Sequence, residues 1–212
     1  MNCAIIGAGT YGEVYMAYLI EAGYNVTAFF DSNSSLWGQK VKGVLIYDDE
    51  KLLENKEFED KIDALFCPIG NNVVRQKVLN YVSYLGYATP NFIHSSVVIH
   101  DTVKLGKGVY ILPGSIVMPY TEIRDYSMIS MGVNLAHHSI LDKGCFLSTG
   151  VNFGASIYAK ENAYVGIGAT IMTGIKTLGK NCLVGAGSVV IKDVEDNAVV
   201  AGVPAKVIKY KE

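Results

Sequence analysis

Apolar positions in the first 88 residues follow two alternating patterns. Short apolar runs typical of buried strands alternate with stretches that have helical periodicity. The predicted strands are Asn2–Ile6, Asn25–Phe30 and Ile62–Phe66, and the predicted helices are Thr10–Ala22 and Asn72–Leu85. This alternation predicts an α/β domain over residues 1–88, in which a small parallel sheet carries helices.

From Asn91 onward the helical periodicity disappears and a period of six replaces it. Small or β-branched residues precede most of the repeating positions by two residues. The repeating positions themselves are all large and apolar except one alanine: Ile93, Ile99, Leu105, Ile111, Val117, Ile123, Ile129, Leu135, Leu141, Leu147, Phe153, Ala159, Val165 and Ile171. A period of six fits neither a helix nor a hairpin meander, and fixed repeats of this kind are typical of solenoids.

Three hexads make 18 residues, which predicts stacked three-sided coils. Four glycines stand 18 residues apart and predict one corner where the backbone has positive φ or approaches another chain segment closely: Gly114, Gly132, Gly150 and Gly168. The register slips by one residue between Ile171 and Leu178, so we expect a bulged corner at Thr173–Thr177. The pattern predicts an all-β parallel solenoid of about six coils over residues 89–212.

Composition restricts the partners. The chain has 18 Lys+Arg against 20 Asp+Glu, and only 18% of its residues are charged, so no basic surface for nucleic acid is expected. No apolar run reaches the ~18 residues of a membrane span, so we expect no membrane insertion. The N-terminal residues do not resemble a signal peptide, and the cysteines are widely spaced, which favours a cytoplasmic protein without a metal site.

A glycine pattern follows the first strand. Gly7-x-Gly9-x-x-Gly12 precedes a helix, and Asp31 ends the second strand, which together are typical of a Rossmann-like dinucleotide site. Glycines let the backbone approach a diphosphate that binds the amides of a helix N-terminus. Fewer than 90 residues supply only about half of a full dinucleotide fold, whereas a nucleotide sugar needs less room. The alternative is that the glycines only form a tight turn and that Asp31 only ends the strand.

Several segments together resemble a known family. The hexads Leu105-Gly-Lys-Gly-Val-Tyr110 and Val165-Gly-Ile-Gly-Ala-Thr170, with the closing segment Ala201-Gly-Val-Pro-Ala-Lys206, resemble hexapeptide-repeat acyltransferases with a left-handed parallel β-helix. With the glycine turn, Asp31 and Ile69-Gly-Asn-Asn-Val-Val-Arg75, the whole chain resembles bacterial sugar acetyltransferases. Within these, it is similar to the bacillosamine-pathway UDP-4-amino-sugar N-acetyltransferases and the sialic acid O-acetyltransferases.

The resemblance implies two sets of binding residues. It implies that the diphosphate and sugar are bound by Gly9, Thr10, Tyr11 and Gly12, and the nucleoside by Asp31, Ser32, Ile69, Gly70 and Asn71. It implies that acetyl-CoA, the co-substrate, is bound by Gly150, Gly154, Ala155, Gly168, Gly202 and Lys206. For Lys206, a solvated tail is the alternative. It also implies a homotrimer.

Of the four histidines, His137 corresponds to the general base of the resembling family, and His138 stands where relatives carry Glu or Asp. Either Asp142 or a carboxylate of another subunit replaces that acid, or His138 is itself the base. His94 and His100 are expected at the surface. A backbone amide within residues 154–156 is expected to stabilise the oxyanion of the thioester carbonyl.

The resemblance implies an acetyl-CoA-dependent N-acetyltransferase for the 4-amino group of a nucleotide-linked 4-amino-4,6-dideoxy sugar, with UDP favoured, in surface glycan biosynthesis. Transfer is direct, since Cys145 and Cys182 are expected to fill the core rather than to act as nucleophiles. Two alternatives stay open: a sialic acid O-acetyltransferase, and a non-catalytic nucleotide-binding trimer.

Overall fold

The computed structural model describes residues 1–55, 58 and 61–211 and divides into two compact units, Met1–Pro90 and Asn91–Glu212. The first unit is an α/β domain whose sheet has the strand order β3-β4-β2-β1-β5. Its elements are β1 (Asn2–Ile6), α1 (Thr10–Glu21), β2 (Asn25–Phe30), β3 (Lys40–Val41), β4 (Val44–Tyr47), β5 (Ala64–Phe66) and α2 (Asn72–Tyr84). Two short 3-10 helices lie at Ser34–Leu36 and Glu50–Glu54.

Strands β1, β2, β4 and β5 run parallel, as the alternating pattern predicts. The predicted third strand, Ile62–Phe66, is two residues shorter in the structure. The antiparallel pair β3 and β4 was missing from the prediction. It turns at Lys42 and Gly43, which both have positive φ, and its strands of two and four residues are too short to show alternation.

The second unit is a parallel β-helix, and most of its strands are two residues long. These strands are β6 (Phe92–Ile93), β7 (Val98–Ile99), β8 (Lys104–Leu105), β9 (Tyr110–Ile111), β10 (Ile116–Val117), β11 (Glu122–Ile123), β12 (Met128–Ile129), β13 (Asn134–Leu135), β14 (Ile140–Leu141), β15 (Phe146–Leu147), β16 (Asn152–Phe153), β17 (Tyr158–Ala159), β18 (Tyr164–Val165), β19 (Thr170–Ile171), β20 (Thr177–Leu178), β21 (Leu183–Val184), β22 (Val189–Val190), β23 (Ala198–Gly202) and β24 (Ala205–Tyr210).

The strands form three faces. Face one contains β7, β10, β13, β16, β19 and β22, face two contains β8, β11, β14, β17 and β20, and face three contains the others. Strands on a face pair with an offset of 18 residues, as in Ile116 with Asn134. The predicted inward positions form the hydrophobic core of this unit. Beyond β22, the antiparallel hairpin of β23 and β24 closes face three.

The glycine column is confirmed, since Gly114, Gly132, Gly150 and Gly168 have φ between 64° and 72° at the corner from face three to face one. The bulged corner is also confirmed. Tyr158 pairs with Thr177, an offset of 19 residues, and Gly174 within the bulge has φ of 106°. In residues 1–55, 58 and 61–211, neither helix is long and apolar enough to cross a membrane.

Candidate active site

His137 and His138 lie at the corner where the chain passes from face one to face two, between β13 and β14. His138 has φ of 56°, and Tyr120 and Ser156, one coil before and after it, have φ of 60°. The coils stack with the predicted offset, since the His138 amide donates to the Pro119 carbonyl and the Ser156 amide to the His137 carbonyl. The left-handed backbone of His138 therefore belongs to the corner, where both imidazoles are exposed.

The two imidazoles are hydrogen-bonded to each other. Nδ1 of His137 lies 3.0 Å from Nδ1 of His138, and the ring planes are 89° apart. The His138 ring also packs against Tyr120, with the ring centroids 4.9 Å apart. One proton occupies the bond between the two Nδ1 atoms, so one ring is the donor and the other the acceptor. If His137 is the donor, its Nε2 atom is unprotonated and can accept a proton from a substrate.

Asp142 does not orient His137, so that alternative is wrong. Its carboxylate accepts hydrogen bonds from Arg124, from the Lys143 amide and from the Tyr158 hydroxyl. Burial alone raises the pKa of the Asp142 carboxyl, but these hydrogen bonds outweigh burial and hold the pKa below its ordinary value. Among the described residues, no carboxylate bonds to either imidazole at the corner, and the two rings bond each other instead.

A groove of about 460 Å³ runs along face one up to this corner. Its lining is mainly apolar, with side chains from four successive coils, and we call it the face-one groove: Ile116, Met118, Asn134, Leu135, Ala136, Asn152, Phe153, Gly154, Thr170, Ile171, Met172 and Thr173. Asn134 on one coil donates to Asn152 on the next at 2.9 Å. Apolar walls with a few amides suit a chain that alternates methylene and amide groups.

The three amides expected to include an oxyanion donor are all engaged within the chain. Gly154 donates to the Ile171 carbonyl and Ser156 to the His137 carbonyl, and both bonds belong to the stacking of the coils. The Ala155 amide instead donates to the side-chain oxygen of Thr173, at 3.1 Å. Since a side chain can rotate away without moving the coil, Ala155 is the one amide of the three that is available to a ligand.

The other residues predicted to bind acetyl-CoA lie elsewhere. Gly150 and Gly168 stand at the glycine corner, and their amides bond the preceding coil. Gly202 and Lys206 belong to the closing hairpin, where Lys206 and Lys192 line a second groove of about 360 Å³. The structure thus leaves Gly154 and Ala155 beside the histidines and places the other four at the glycine corner and in the closing hairpin.

In the first unit, the glycine turn between β1 and α1 is tightly built. Gly7 has φ of 106°, and a Cβ on Gly12 would lie 2.0 Å from the Gly7 carbonyl oxygen. The Asp31 carboxylate accepts from the Ala8 amide at 2.7 Å and from the Asn33 amide at 2.8 Å. Asp31 therefore holds the glycine turn in place, in addition to any contact with a nucleoside.

The turn after β5 meets the glycine turn. A Cβ on Gly7 would lie 3.1 Å from the Ile69 side chain, so the two turns pack together at the carboxyl edge of the sheet. The Asn71 side chain caps α2 by accepting from Val74. Arg75, which is fully buried, donates to the Ile69 carbonyl at 2.8 Å. Arg75 therefore supports the turn at Ile69 from below the surface, a role that the sequence motif did not indicate.

The structure also locates the two histidines that were expected at the surface and the two cysteines that were expected in the core. His100 is exposed and His94 is half-buried, and each ring bonds a hydroxyl two residues later. Cys145 and Cys182 are fully buried, and burial raises the pKa of Cys182 to about 12, so neither thiol is available as a nucleophile. Within the described parts of the chain, no cluster of His, Cys, Asp and Glu residues is able to hold a metal ion.

Comparison with known proteins agrees with this architecture. Residues 2–82 match the family model described as the PglD N-terminal domain. The crystal structure of PerB from Caulobacter crescentus, in complex with CoA and GDP-perosamine, is 31% identical with a TM-score of 0.90, over 99% of this chain and 98% of that one.

Two further relatives extend the comparison. The acetyltransferase domain of PglB from Neisseria gonorrhoeae is 25% identical with a TM-score of 0.89, over 98% of this chain and 99% of that one. GDP-perosamine N-acetyltransferase from Escherichia coli O157:H7 is 25% identical over 188 residues, which are 86% of this chain and 82% of that one. With its two units and its histidine corner, the chain belongs to the family of hexapeptide-repeat sugar acetyltransferases, enzymes that use acetyl-CoA.

Proposed function

We propose that this protein transfers the acetyl group of acetyl-CoA to the 4-amino group of a nucleotide-linked 4-amino-4,6-dideoxy sugar, a step in surface glycan biosynthesis. The observation that carries the proposal is the His137–His138 hydrogen bond at the end of the face-one groove. The relatives support the substrate class, since PerB binds CoA and GDP-perosamine. The sequence resemblance favours UDP as the nucleotide of the sugar, whereas the names of the PerB complex and of the E. coli enzyme specify GDP-perosamine.

His137 is the general base in this proposal. Its Nδ1–H donates to Nδ1 of His138, which leaves the lone pair of Nε2 for the substrate amine. As the amine nitrogen attacks the thioester carbonyl carbon, Nε2 takes the proton that the nitrogen loses. His138 does the orienting work of the usual carboxylate, because a neutral ring nitrogen accepts the same hydrogen bond.

The Ala155 amide stabilises the oxyanion. When Thr173 rotates away, this N–H is directed at the carbonyl oxygen that gains charge during attack. The carbon–sulfur bond then breaks, and the proton on His137 passes to the sulfur. The products are the N-acetylated sugar and CoA thiol, and the imidazole returns to its neutral form.

The two substrates bind at different elements. The face-one groove holds the pantetheine arm, and the cations of Lys192 and Lys206 at the second groove suit the phosphates of CoA. The glycine turn, with Gly9 as the helix N-cap and Thr10 to Gly12 in the first turn of α1, holds the diphosphate of the nucleotide sugar. Asp31, Ser32, Ile69, Gly70 and Asn71 lie at the nucleoside end.

We further propose a cytoplasmic homotrimer. The four cysteines are buried and none of them forms a disulfide, which fits a reducing compartment. Cyclic assemblies are a common form of soluble oligomer, and three copies can enclose outward faces of the coil.

The experiment is release of CoA thiol from acetyl-CoA by the purified protein, detected with a disulfide reagent. The acceptors are a 4-amino-4,6-dideoxy sugar linked to UDP, GDP or dTDP, and sialic acid, free and CMP-linked. We expect turnover with one of the amino sugars, which also identifies the nucleotide. Turnover with sialic acid alone would replace N-acetylation by O-acetylation, and no turnover with any acceptor would overturn the proposed reaction.

A further inference from the structure

The single tryptophan of the chain, Trp37, lies at the surface in the loop that follows β2. It follows the 3-10 helix Ser34–Leu36, and 41% of the residue is exposed. Its indole N–H donates to the Asp31 carbonyl at 2.7 Å. The only polar atom of the side chain is thereby satisfied, so what the side chain offers to solvent is ring carbon.

The loop that carries Trp37 is held in one shape by its own side chains. Asn33 accepts from the amide and the hydroxyl of Ser35, and the Gln39 side chain donates to the Ser35 carbonyl at 2.7 Å. The Trp37 amide closes the 3-10 turn on Ser34. A ring fixed in this way loses little conformational entropy when a planar ligand stacks on it.

Asp31 connects this ring to the glycine turn. Its carbonyl accepts from Trp37, and its carboxylate accepts from the Ala8 amide at 2.7 Å. Two hydrogen bonds, both made by Asp31, therefore connect Trp37 to the glycine turn. In the proposed function, this turn holds the diphosphate. In the part of the chain that the structure describes, no aromatic ring or cation packs on the indole.

We propose that Trp37 is the stacking platform for the nucleobase of the nucleotide sugar. The inference rests on the proposed function only in that the glycine turn binds a nucleoside diphosphate. Stacking on an aromatic side chain tolerates any base, because every base has a π-face. Trp37 thus supplies affinity for the base, and the hydrogen-bonding groups of Ser32 and Asn71 supply selection among bases.

The test uses the full-length protein and its own fluorescence, because Trp37 is the only tryptophan. UDP, GDP and inorganic pyrophosphate are titrated in turn, with calorimetry in parallel. We expect both nucleotides to quench the tryptophan emission and pyrophosphate to leave it unchanged. The dissociation constants from fluorescence and calorimetry should agree.

Two substitutions separate stacking from a structural role of the indole N–H. Trp37→Phe keeps an aromatic ring and loses the bond to Asp31, whereas Trp37→Ala loses both. We expect Trp37→Ala to weaken binding of UDP and GDP by similar factors of roughly 5- to 100-fold in calorimetry, and Trp37→Phe to retain most of the affinity. Tyr84→Ala, at a residue that is 87% exposed at the end of α2, is the matched control and should bind normally.

Each contrary result has one meaning. Nucleotide binding by calorimetry without any change of emission overturns the stacking role and leaves the proposed function intact. Equal loss of affinity in the Phe and Ala variants also overturns it, since the bond to Asp31 is then the part that matters. Absence of nucleotide binding to the unmodified protein overturns the nucleotide site itself, and the inference with it.

Discussion

The two histidines at the corner differ from a histidine–carboxylate pair in charge, and either ring can donate the hydrogen bond between them. His138 presents a ring nitrogen 3.0 Å from Nδ1 of His137, and in the proposed mechanism this nitrogen accepts the hydrogen bond as a carboxylate oxygen would. A carboxylate also stabilises the imidazolium that forms when the base takes a proton, and a neutral imidazole does so less. Substitutions at His138 can therefore separate two effects on His137, namely the orientation of its ring and the stability of its protonated form.

Substitution of the base gives the first prediction. We expect His137→Ala to lower kcat by ~10²–10⁴, the usual range for a lost general base, and His138→Ala to lower it less. We expect His138→Glu to remain active, with the acid limb of its kcat/KM profile moved to higher pH, because an anion stabilises the protonated base. The measurement is the pH dependence of CoA thiol release by the three variants.

The same series identifies the base. If His138→Ala costs more turnover than His137→Ala, the roles of the two histidines are exchanged. An unmoved acid limb in His138→Glu would show that the residue at 138 does not act on the proton of the base. Ser96→Ala, which removes the hydroxyl partner of His94, is a control at a histidine outside the site.

At the scale of elements, the sequence predicts the β-helix almost residue by residue and the first unit only in outline. A buried coil repeats the same inward position every six residues, so each of Ile111, Val117 and Ile123 indicates its own strand. The hand of the coil is not contained in that pattern, because ordinary crossover sterics favour a right-handed connection, and it came from the resemblance.

The site was predictable only where its residues stand in the repeat or in a motif. Ala155 follows from His137 by the 18-residue offset, and His137 itself from the resemblance, whereas the bond between Asp31 and Ala8 joins residues whose contact depends on the packing of two strands. The anchoring of Trp37 to Asp31 depends on the shape of an irregular loop in the same way. Such contacts have no period along the chain, so no pattern of residues indicates them.

Glycines in the coil serve two different purposes, which gives the second prediction. A Cβ on Gly154 would lie 2.6 Å from the Thr173 amide nitrogen and 2.7 Å from the Ile171 carbonyl oxygen, so the next coil must move. Gly132 has φ of 65° and open space around it, so its substitution adds only backbone strain. We expect Gly154→Ala to raise the KM for acetyl-CoA, because the Ala155 amide shifts, and Gly132→Ala to leave that KM unchanged.

Unfolding in urea separates the two causes further. Gly132→Ala should lower the free energy of unfolding by about 1–2 kcal/mol, and Gly132→Asn by less, because asparagine tolerates positive φ. Gly154→Ala should lower it by about 1–3 kcal/mol, the range for overpacking, and Gly154→Asn by more than Gly154→Ala. If the Ala and Asn variants lowered the free energy of unfolding equally at both positions, the assignment of backbone strain to Gly132 and of close contact to Gly154 would be wrong.

At the scale of the whole molecule, face one presents an apolar row to solvent. Val98 is 63% exposed, and Ile116 and Met118 on the next coil are 43% and 41% exposed. Monomeric proteins seldom leave contiguous apolar patches uncovered, so this face is suited to contact with another copy. In the proposed trimer, a closed ring of three copies would cover the same face in every subunit.

The assembly gives the last prediction. Light scattering after size exclusion should report three times the chain mass of 23.0 kDa. Val98→Lys together with Ile116→Lys should shift the protein to smaller species, because two cations on face one cannot be desolvated without partners. Ile208→Lys, at a residue that is 63% exposed on β24, is the control and should keep the mass of the unmodified protein. If the double variant stays trimeric while Ile208→Lys dissociates, the copies meet through the closing hairpin instead of face one.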